Sequence, residues 1–166
     1  MRRILRLVTV FAVIAAVTVA CGTYTAEGDS GLEGAWMVTS WNVAGETVAE
    51  PQPGLIVFTD THYSMMYVNG AAPRPQYAGE EMTDAEILAA FDSFTANSGR
   101  YEVSGNELTT RPSVAKDPNY MGTWPDNAET YTFELEGETL RLTWPSDWPG
   151  GLRIGTFRKV EGEAAS

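Results

Sequence analysis

The sequence is short of histidine and cysteine, and this shortage excludes several kinds of site. Among its 166 residues, His62 is the only histidine and Cys21 the only cysteine. Neither a zinc site nor a Cys–His catalytic pair can be built from one of each, and a lone cysteine cannot form an intrachain disulfide. The chain also has no Gly-x-Ser-x-Gly nucleophile elbow and no glycine-rich phosphate loop between a strand and a helix. We therefore expect no metal, no cofactor and no catalytic residue, with His62 as a surface turn residue.

Positive charge is scarce as well. The chain has 11 basic and 22 acidic residues and a formal net charge of −11 at pH 7, and three of the basic residues (Arg2, Arg3 and Arg6) lie at its N-terminus. A surface of this sign repels nucleic acid and anionic headgroups. The acidic residues are scattered, which is typical of a solvated surface; a patch that recruits a cationic partner is the alternative. We expect no nucleic-acid partner.

The N-terminal segment reads as a targeting signal. Residues 7–20 form an uncharged apolar run after the arginines, too short for a span of about 20 residues but suited to the core of a signal peptide. The run ends in Thr18-Val19-Ala20-Cys21, which resembles the lipobox of bacterial lipoproteins, with Thr18 where leucine is usual. In that family the cysteine is acylated and becomes the first residue of the mature chain. The alternatives are an ordinary secretory signal or an uncleaved anchor.

Most of the remaining chain is predicted to form β-strands. Its segments alternate between two faces or are continuously apolar, and turn signals such as Ser104-Gly105-Asn106 and Glu136-Gly137 separate them. The eight predicted strands are residues 36–43, 55–59, 62–68, 100–103, 107–114, 130–135, 139–144 and 152–160. Strands in series joined by hairpins predict an all-β, up-and-down antiparallel sheet, which loses its exposed edges by closing into a barrel. The interior of an eight-stranded barrel is either filled by side chains or holds one small ligand.

One helix interrupts the strands, and we predict it around residues 83–98. Thr83-Asp84-Ala85-Glu86 matches a capping box, and Ile87, Phe91 and Phe94 follow at helical spacing as an apolar stripe. Gly99 stands where a helix C-cap is expected. A single amphipathic helix among strands is expected to pack against the sheet as a lid or plug.

The order of these motifs resembles the lipocalins, and more closely the bacterial lipocalin-like domain proteins, over about residues 33 to 160. The segments that carry the resemblance are Gly34-Ala35-Trp36 with Ser40-Trp41, Gly54-Leu55-Ile56-Val57-Phe58-Thr59, Ala89-Ala90-Phe91-Asp92, Gly99-Arg100-Tyr101-Glu102-Val103, Asn119-Tyr120-Met121-Gly122 and Phe157-Arg158-Lys159-Val160. The resemblance implies a lipocalin-like barrel in which Gly34 and Trp36 close one end, with Arg158 stacked over the indole. The inserted helix departs from most lipocalins, whose helix lies near the C-terminus.

Four segments follow from these patterns: a lipoprotein signal peptide at 1–20, a flexible tether at 21–32, the barrel domain at 33–160 and a disordered tail at 161–166. Acylation of Cys21 would bury lipid CH₂ groups and hold the protein at a membrane. We expect a lipid-anchored, extracytoplasmic monomer at the cell membrane or the outer membrane.

Aromatic residues are the candidates for a binding site, since the chain has five Trp and seven Tyr. Tyr and Trp offer apolar area with one polar handle, which suits a small hydrophobic or amphipathic guest. The candidate ligand-binding residues are Tyr63, Met65, Tyr67, Tyr101, Trp124, Tyr131 and Trp144. We expect a binding protein rather than an enzyme. A cofactor-independent isomerase or cyclase that uses the barrel cavity, and a structural module of the cell envelope with a filled barrel, are the alternatives.

Overall fold

Nine β-strands and one α-helix make up most of the described chain. The structure is a computed structural model that describes residues 30–79, 81–121, 126–145 and 151–160; the predicted signal peptide, most of the tether, Trp124 and the predicted tail lie outside them. The strands are β1 (Gly34–Val43), β2 (Glu46–Val48), β3 (Gly54–Phe58), β4 (His62–Val68), β5 (Phe94–Ser104), β6 (Glu107–Ala115), β7 (Glu129–Glu136), β8 (Thr139–Trp144) and β9 (Arg153–Lys159). Helix α1 (Asp84–Asp92) lies between β4 and β5, and a 3₁₀-helix (Pro118–Met121) lies between β6 and β7.

Eight of these strands form a closed antiparallel barrel. Each strand from β3 to β9 pairs with the next along the chain, β1 pairs with β3, and β9 returns to pair with β1. The closing register runs from Trp36↔Lys159 to Val43↔Arg153. Strand β2 pairs only with the end of β1 that continues past β3. The ring of eight has no unpaired edge, which is what makes a sheet of this kind stable alone. The predicted fold class is confirmed.

One end of the barrel is packed solid, and we call it the closed end. It is the end at which β1 begins, and the β3–β4, β5–β6 and β7–β8 turns surround it. Inward-facing side chains from every part of the ring meet there, in agreement with the alternation of each strand. The most deeply buried are Leu32, Trp36, Ile56, Phe58, Leu108, Leu140, Leu142 and Phe157.

Trp36 seals this end, as the Gly34-Ala35-Trp36 motif implied, but its cationic partner is different. The indole is fully buried, and its Nε1 donates to the carbonyl of Leu32 at 2.6 Å. The cation over the ring is Lys159, whose Nζ lies 5.2 Å from the centroid. The assignment to Arg158 is wrong because of register: Lys159 is the residue opposite Trp36, whereas Arg158 is opposite Met37 on the outer face and is exposed.

The closed end also takes in residues before the first strand. Leu32 is fully buried in the core, although the sequence places it in the flexible tether. Gly34 has a φ of +116° and leaves room for Lys159, because a Cβ at Gly34 would lie 3.1 Å from the Lys159 Cε. The chain therefore joins the barrel core before residue 33.

Helix α1 is shorter and less buried than predicted. Its capping box is present, with Thr83 accepting from the Glu86 amide. The helix ends at Asp92 rather than near 98, and Ser93 caps it by donating its amide to the carbonyl of Ala89. The predicted stripe is wrong: Ala90 is the buried residue of the helix, while Ile87 and Phe91 are about half exposed at 46% and 47%. The helix lies over the barrel without entering its core.

The residues predicted as the end of the helix belong to β5. Phe94 starts this strand, and the Val68↔Phe94 to Tyr63↔Gly99 pairs extend it along β4. Gly99 is not a helix cap. It sits at a break in the β5–β6 register, where a Cβ would lie 2.0 Å from the carbonyl oxygen of Arg111, so no larger residue fits.

Candidate functional site

The opposite end of the barrel holds a cavity, and we call it the open end. The described residues line a space of about 970 Å³ there that is open to solvent, with a second space of about 470 Å³ adjoining it. Both spaces are lined by Tyr67, Thr95, Trp144 and Arg153. The larger volume lies near the top of the range of 300–1,000 Å³ that is common for small-molecule sites. The barrel is thus filled at one end and hollow at the other.

A carboxylate lies on the wall of the larger cavity. Glu129 is the first residue of β7, and its Oε2 accepts from two phenol groups. Tyr131 donates to it at 2.7 Å, and Tyr120 donates to the same oxygen. All three residues line the cavity. Hydrogen bonds of this kind fix the orientation of the carboxylate. We call these residues the tyrosine–glutamate cluster.

The tyrosines around Glu129 are held in their neutral form. Burial raises the pKa of Tyr131 well above its ordinary value, and the nearby Glu129 charge raises it further. The same two causes raise the pKa of Tyr120. Burial likewise raises the pKa of Tyr63 to about 12. At neutral pH these hydroxyls are hydrogen-bond donors.

The remaining walls carry both aromatic and polar side chains. Trp144 packs against Tyr131 with ring centroids 5.4 Å apart, and against Trp41 at 6.1 Å. Trp41 in turn contacts Tyr67 at 5.0 Å. Asn97 on β5, two strands from β7 in the ring, also lines the cavity and is only 8% exposed. A buried amide is costly unless it is hydrogen-bonded, so Asn97 is a polar group that a guest could pair with.

The end of helix α1 forms part of the cavity rim. Phe91 and Asp92 line the cavity, and polar side chains from two other segments hold the last carbonyls of the helix. Lys116 donates to the Phe91 carbonyl at 2.5 Å and lies 4.1 Å from the centre of its ring. Asn69 donates to the Asp92 carbonyl at 2.8 Å. A cation near the negative end of the helix dipole is favourable, so these contacts hold the helix at the rim.

The structure brings together some of the candidate ligand-binding residues and separates others. Met65, Tyr67, Tyr131 and Trp144 line the larger cavity. Tyr63 is fully buried below it and is not a lining residue. Tyr101 lies at the closed end, where its hydroxyl donates to the Thr59 carbonyl at 2.6 Å, so its assignment to the cavity is wrong. Trp124 lies outside the described residues. A binding role for the four lining residues stays a prediction.

The most polar residues of the site were not predicted from the sequence. Glu129 shares the inner face of β7 with Tyr131, because residues 129, 131, 133 and 135 are less exposed than those between them. This alternation could have identified Glu129, but the predicted strand began one residue too late. Asn97 was hidden inside the predicted helix. No pattern in the sequence marked Arg153 as a cavity residue.

Other kinds of site find no support in the described part of the chain. No group of three or more His, Cys, Asp or Glu side chains there is arranged to hold a metal ion. His62 is exposed beside the β3–β4 turn and hydrogen-bonds to Thr61. No helix within the described ranges is long and apolar enough to span a bilayer.

Comparison with known proteins adds the family. No curated protein matches the chain. Among solved structures, a lipocalin-like protein from Bacteroides uniformis is similar, with 21% identity and a TM-score of 0.45, over 80% of this chain and 100% of that one. An uncharacterized protein from Bacteroides eggerthii is similar with 13% identity and a TM-score of 0.42, over 78% of this chain and 99% of that one.

The family match covers nearly all of the barrel. The Lipocalin-like domain family matches residues 33–157, which run from the start of β1 into β9. This range agrees with the one carried by the sequence motifs, and the resemblance inferred from them is confirmed. With its closed eight-stranded barrel, the chain belongs to the lipocalin-like domain family.

Proposed function

We propose that the protein binds one small hydrophobic or amphipathic molecule in the open-end cavity. The observation that carries this proposal is the cavity itself, about 970 Å³ lined by aromatic and polar side chains in a barrel that is solid at its other end. A barrel whose core needed only to be filled would not leave such a volume, so a filled structural module fits the described residues poorly.

The binding mechanism is burial of the guest against the aromatic walls. Its apolar part would pack on Tyr67, Tyr131 and Trp144, all of which line the cavity. Apolar burial contributes about 25 cal/mol per Å², so a guest that buries about 250 Å² gains roughly 6 kcal/mol before the cost of its lost freedom. A polar group on the guest would meet Asn97 or Glu129, which gives the complex its orientation.

Helix α1 is the proposed gate of the cavity. It contributes Phe91 to the rim and has a single buried residue, Ala90. Elements with few buried contacts open at low free energy. Release of the Lys116 and Asn69 contacts would let the helix move without disturbing the barrel.

A lipid on Cys21 is the proposed anchor at an extracytoplasmic membrane surface. The chain meets the barrel at the closed end, where Leu32 is buried beneath Trp36. Anchoring from that end would leave the open end accessible to solution. Cys21→Ala should abolish incorporation of labelled palmitate, and unchanged labelling would refute the anchor.

A fluorescence titration tests the binding proposal. N-phenyl-1-naphthylamine, a probe that is neutral at pH 7, should brighten on binding the wild-type protein and quench tryptophan emission by energy transfer. Asn97→Phe fills the cavity and should weaken binding at least tenfold. Ser98→Phe is the matched control, since Ser98 points outward to Ser64. A probe that does not bind, or that binds all three proteins equally, would contradict the proposal.

A cofactor-independent enzyme is the second candidate, and the tyrosine–glutamate cluster is the observation that favours it. Two phenols donate to one oxygen of the Glu129 carboxylate, Oε2. Acid–base catalysis needs groups of this kind within hydrogen-bond reach of each other. Their electrostatics favour binding instead, because a general acid works best with a pKa near the operating pH, whereas burial raises the pKa of Tyr120 and Tyr131 far above it.

A further inference from the structure

We infer that the guest of the open-end cavity is an amine whose protonated nitrogen binds beside Glu129. This inference rests on the proposed binding function and names the chemical class of its ligand. It follows from the charge of Glu129, from the aromatic faces around it and from the positions of the other charged groups at the cavity.

The Glu129 carboxylate has two phenol donors and no ion pair among the described residues. The ion pairs among the described residues are Arg111–Glu102 and Arg141–Glu134, and neither involves Glu129. Both phenol donors bind Oε2, and no donor from the described residues binds Oε1. A half-buried carboxylate is costly when its charge is unpaired, so the site is incomplete without a cation.

The walls around this carboxylate also suit a cation. Tyr67, Tyr131 and Trp144 line the same space, and their ring faces carry partial negative charge that attracts ammonium groups. The same faces repel a carboxylate or phosphate. Asn97 lines the same space, and its side-chain carbonyl oxygen is a second acceptor for an N–H group.

The other charged groups at the cavity do not reverse this preference. Asp92 and Asp117 add negative charge near the rim, and Lys116 is already bound to the carbonyl and ring of Phe91. Arg153 is a second lining cation and favours an anion, and it too has an interaction within the structure. Arg153 lies at the start of β9 and lines both spaces. Glu129 lies at the start of β7 and is the charged residue of that wall.

Three probes of equal shape separate the guest classes: 2-(2-naphthyl)ethylamine, 2-(2-naphthyl)ethanol and 2-naphthylacetate. Their affinities are measured by isothermal titration calorimetry at pH 7 on the whole mature chain. We expect the amine to bind at least tenfold more tightly than the alcohol, and the carboxylate to bind more weakly than the alcohol. Glu129→Gln keeps an acceptor for the two phenols and should bring the amine down to the affinity of the alcohol. Glu134→Gln removes a charge from the outer face of the same strand and should change nothing.

The outcomes are distinguishable. Equal affinities, or tightest binding of the carboxylate, would overturn the amine inference while the binding function stands. Failure of all three probes together with the neutral naphthylamine dye would contradict both. The comparison of the three probes on the wild-type protein decides the question even if Glu129→Gln does not fold.

Discussion

Replacing Trp36 with alanine should destabilise the barrel severely and leave its cavity intact. The indole is fully buried, and Trp→Ala in a core costs about 3–5 kcal/mol. The buried Leu32 carbonyl would also lose its 2.6 Å donor, which adds about 1 kcal/mol. The sum is about 4–6 kcal/mol from a total stability of roughly 5–15 kcal/mol. At roughly 3 °C or more per kcal/mol for a domain of this size, Tm should fall by more than about 10 °C.

The assay is urea unfolding followed by far-UV circular dichroism, which does not depend on the lost tryptophan. Met37→Ala is the matched control, because Met37 is adjacent on β1 but points outward and is 45% exposed; its cost should stay within about 0.5 kcal/mol. Below its melting temperature, the Trp36→Ala protein should bind the naphthylamine dye with unchanged affinity. If Trp36→Ala is as stable as Met37→Ala, the role assigned to the closed end is wrong.

Three further changes test other parts of the structure. Lys159→Ala should lower the free energy of unfolding by about 0.5–2 kcal/mol, because the cation over the indole is lost. Arg158→Ala, on the outer face, should be close to neutral in the same urea assay. If Arg158→Ala were the more costly change, Arg158 would be the cation that stacks on Trp36. Because burial raises the pKa of Tyr131 above its unfolded value near 10, its stabilising contribution is complete below pH 10 and declines as pH rises further, by up to about 1.4 kcal/mol per pH unit. In urea unfolding between pH 9 and 12, Tyr131→Phe should reduce this loss of stability, whereas Tyr77→Phe on the surface should not. Identical slopes of the free energy of unfolding against pH in the two variants would contradict the burial of Tyr131. Thr83→Ala removes the helix cap at a cost of about 1 kcal/mol, which should speed amide hydrogen exchange in α1 and spare β5; exchange that rises equally in both would show that the helix does not open on its own.

The barrel could be predicted from the sequence because its determinants are local. Alternation along each strand and turns such as Glu136-Gly137 specify neighbours that are adjacent in the chain, and an up-and-down barrel consists almost entirely of such neighbours. The end of the helix could not be predicted in this way. Phe94 fits a helical stripe and a strand equally well, and the pairing of β5 with β4, a tertiary contact, decides for the strand.

The candidate site was only partly predictable. Aromatic content identified Tyr67, Tyr131 and Trp144, but the sequence does not reveal which end of a barrel is solid, so Tyr101 was assigned to the wrong end. The prediction of Arg158 instead of Lys159 as the cation over Trp36 has a related cause, the register between two strands. A shift of one residue in register moves a side chain to the other face of a sheet, and only the pairing of β9 with β1 fixes that register.

The most direct test of the central claim is to locate the bound guest by NMR. Backbone ¹⁵N–¹H spectra of the protein are recorded during titration with N-phenyl-1-naphthylamine. We predict the largest shifts at Thr95, Asn97 and Tyr131, which line the open-end cavity, and none at Trp36 or Leu108 in the solid end. Shifts confined to the exposed face of helix α1, or spread through the closed end, would contradict binding inside the barrel.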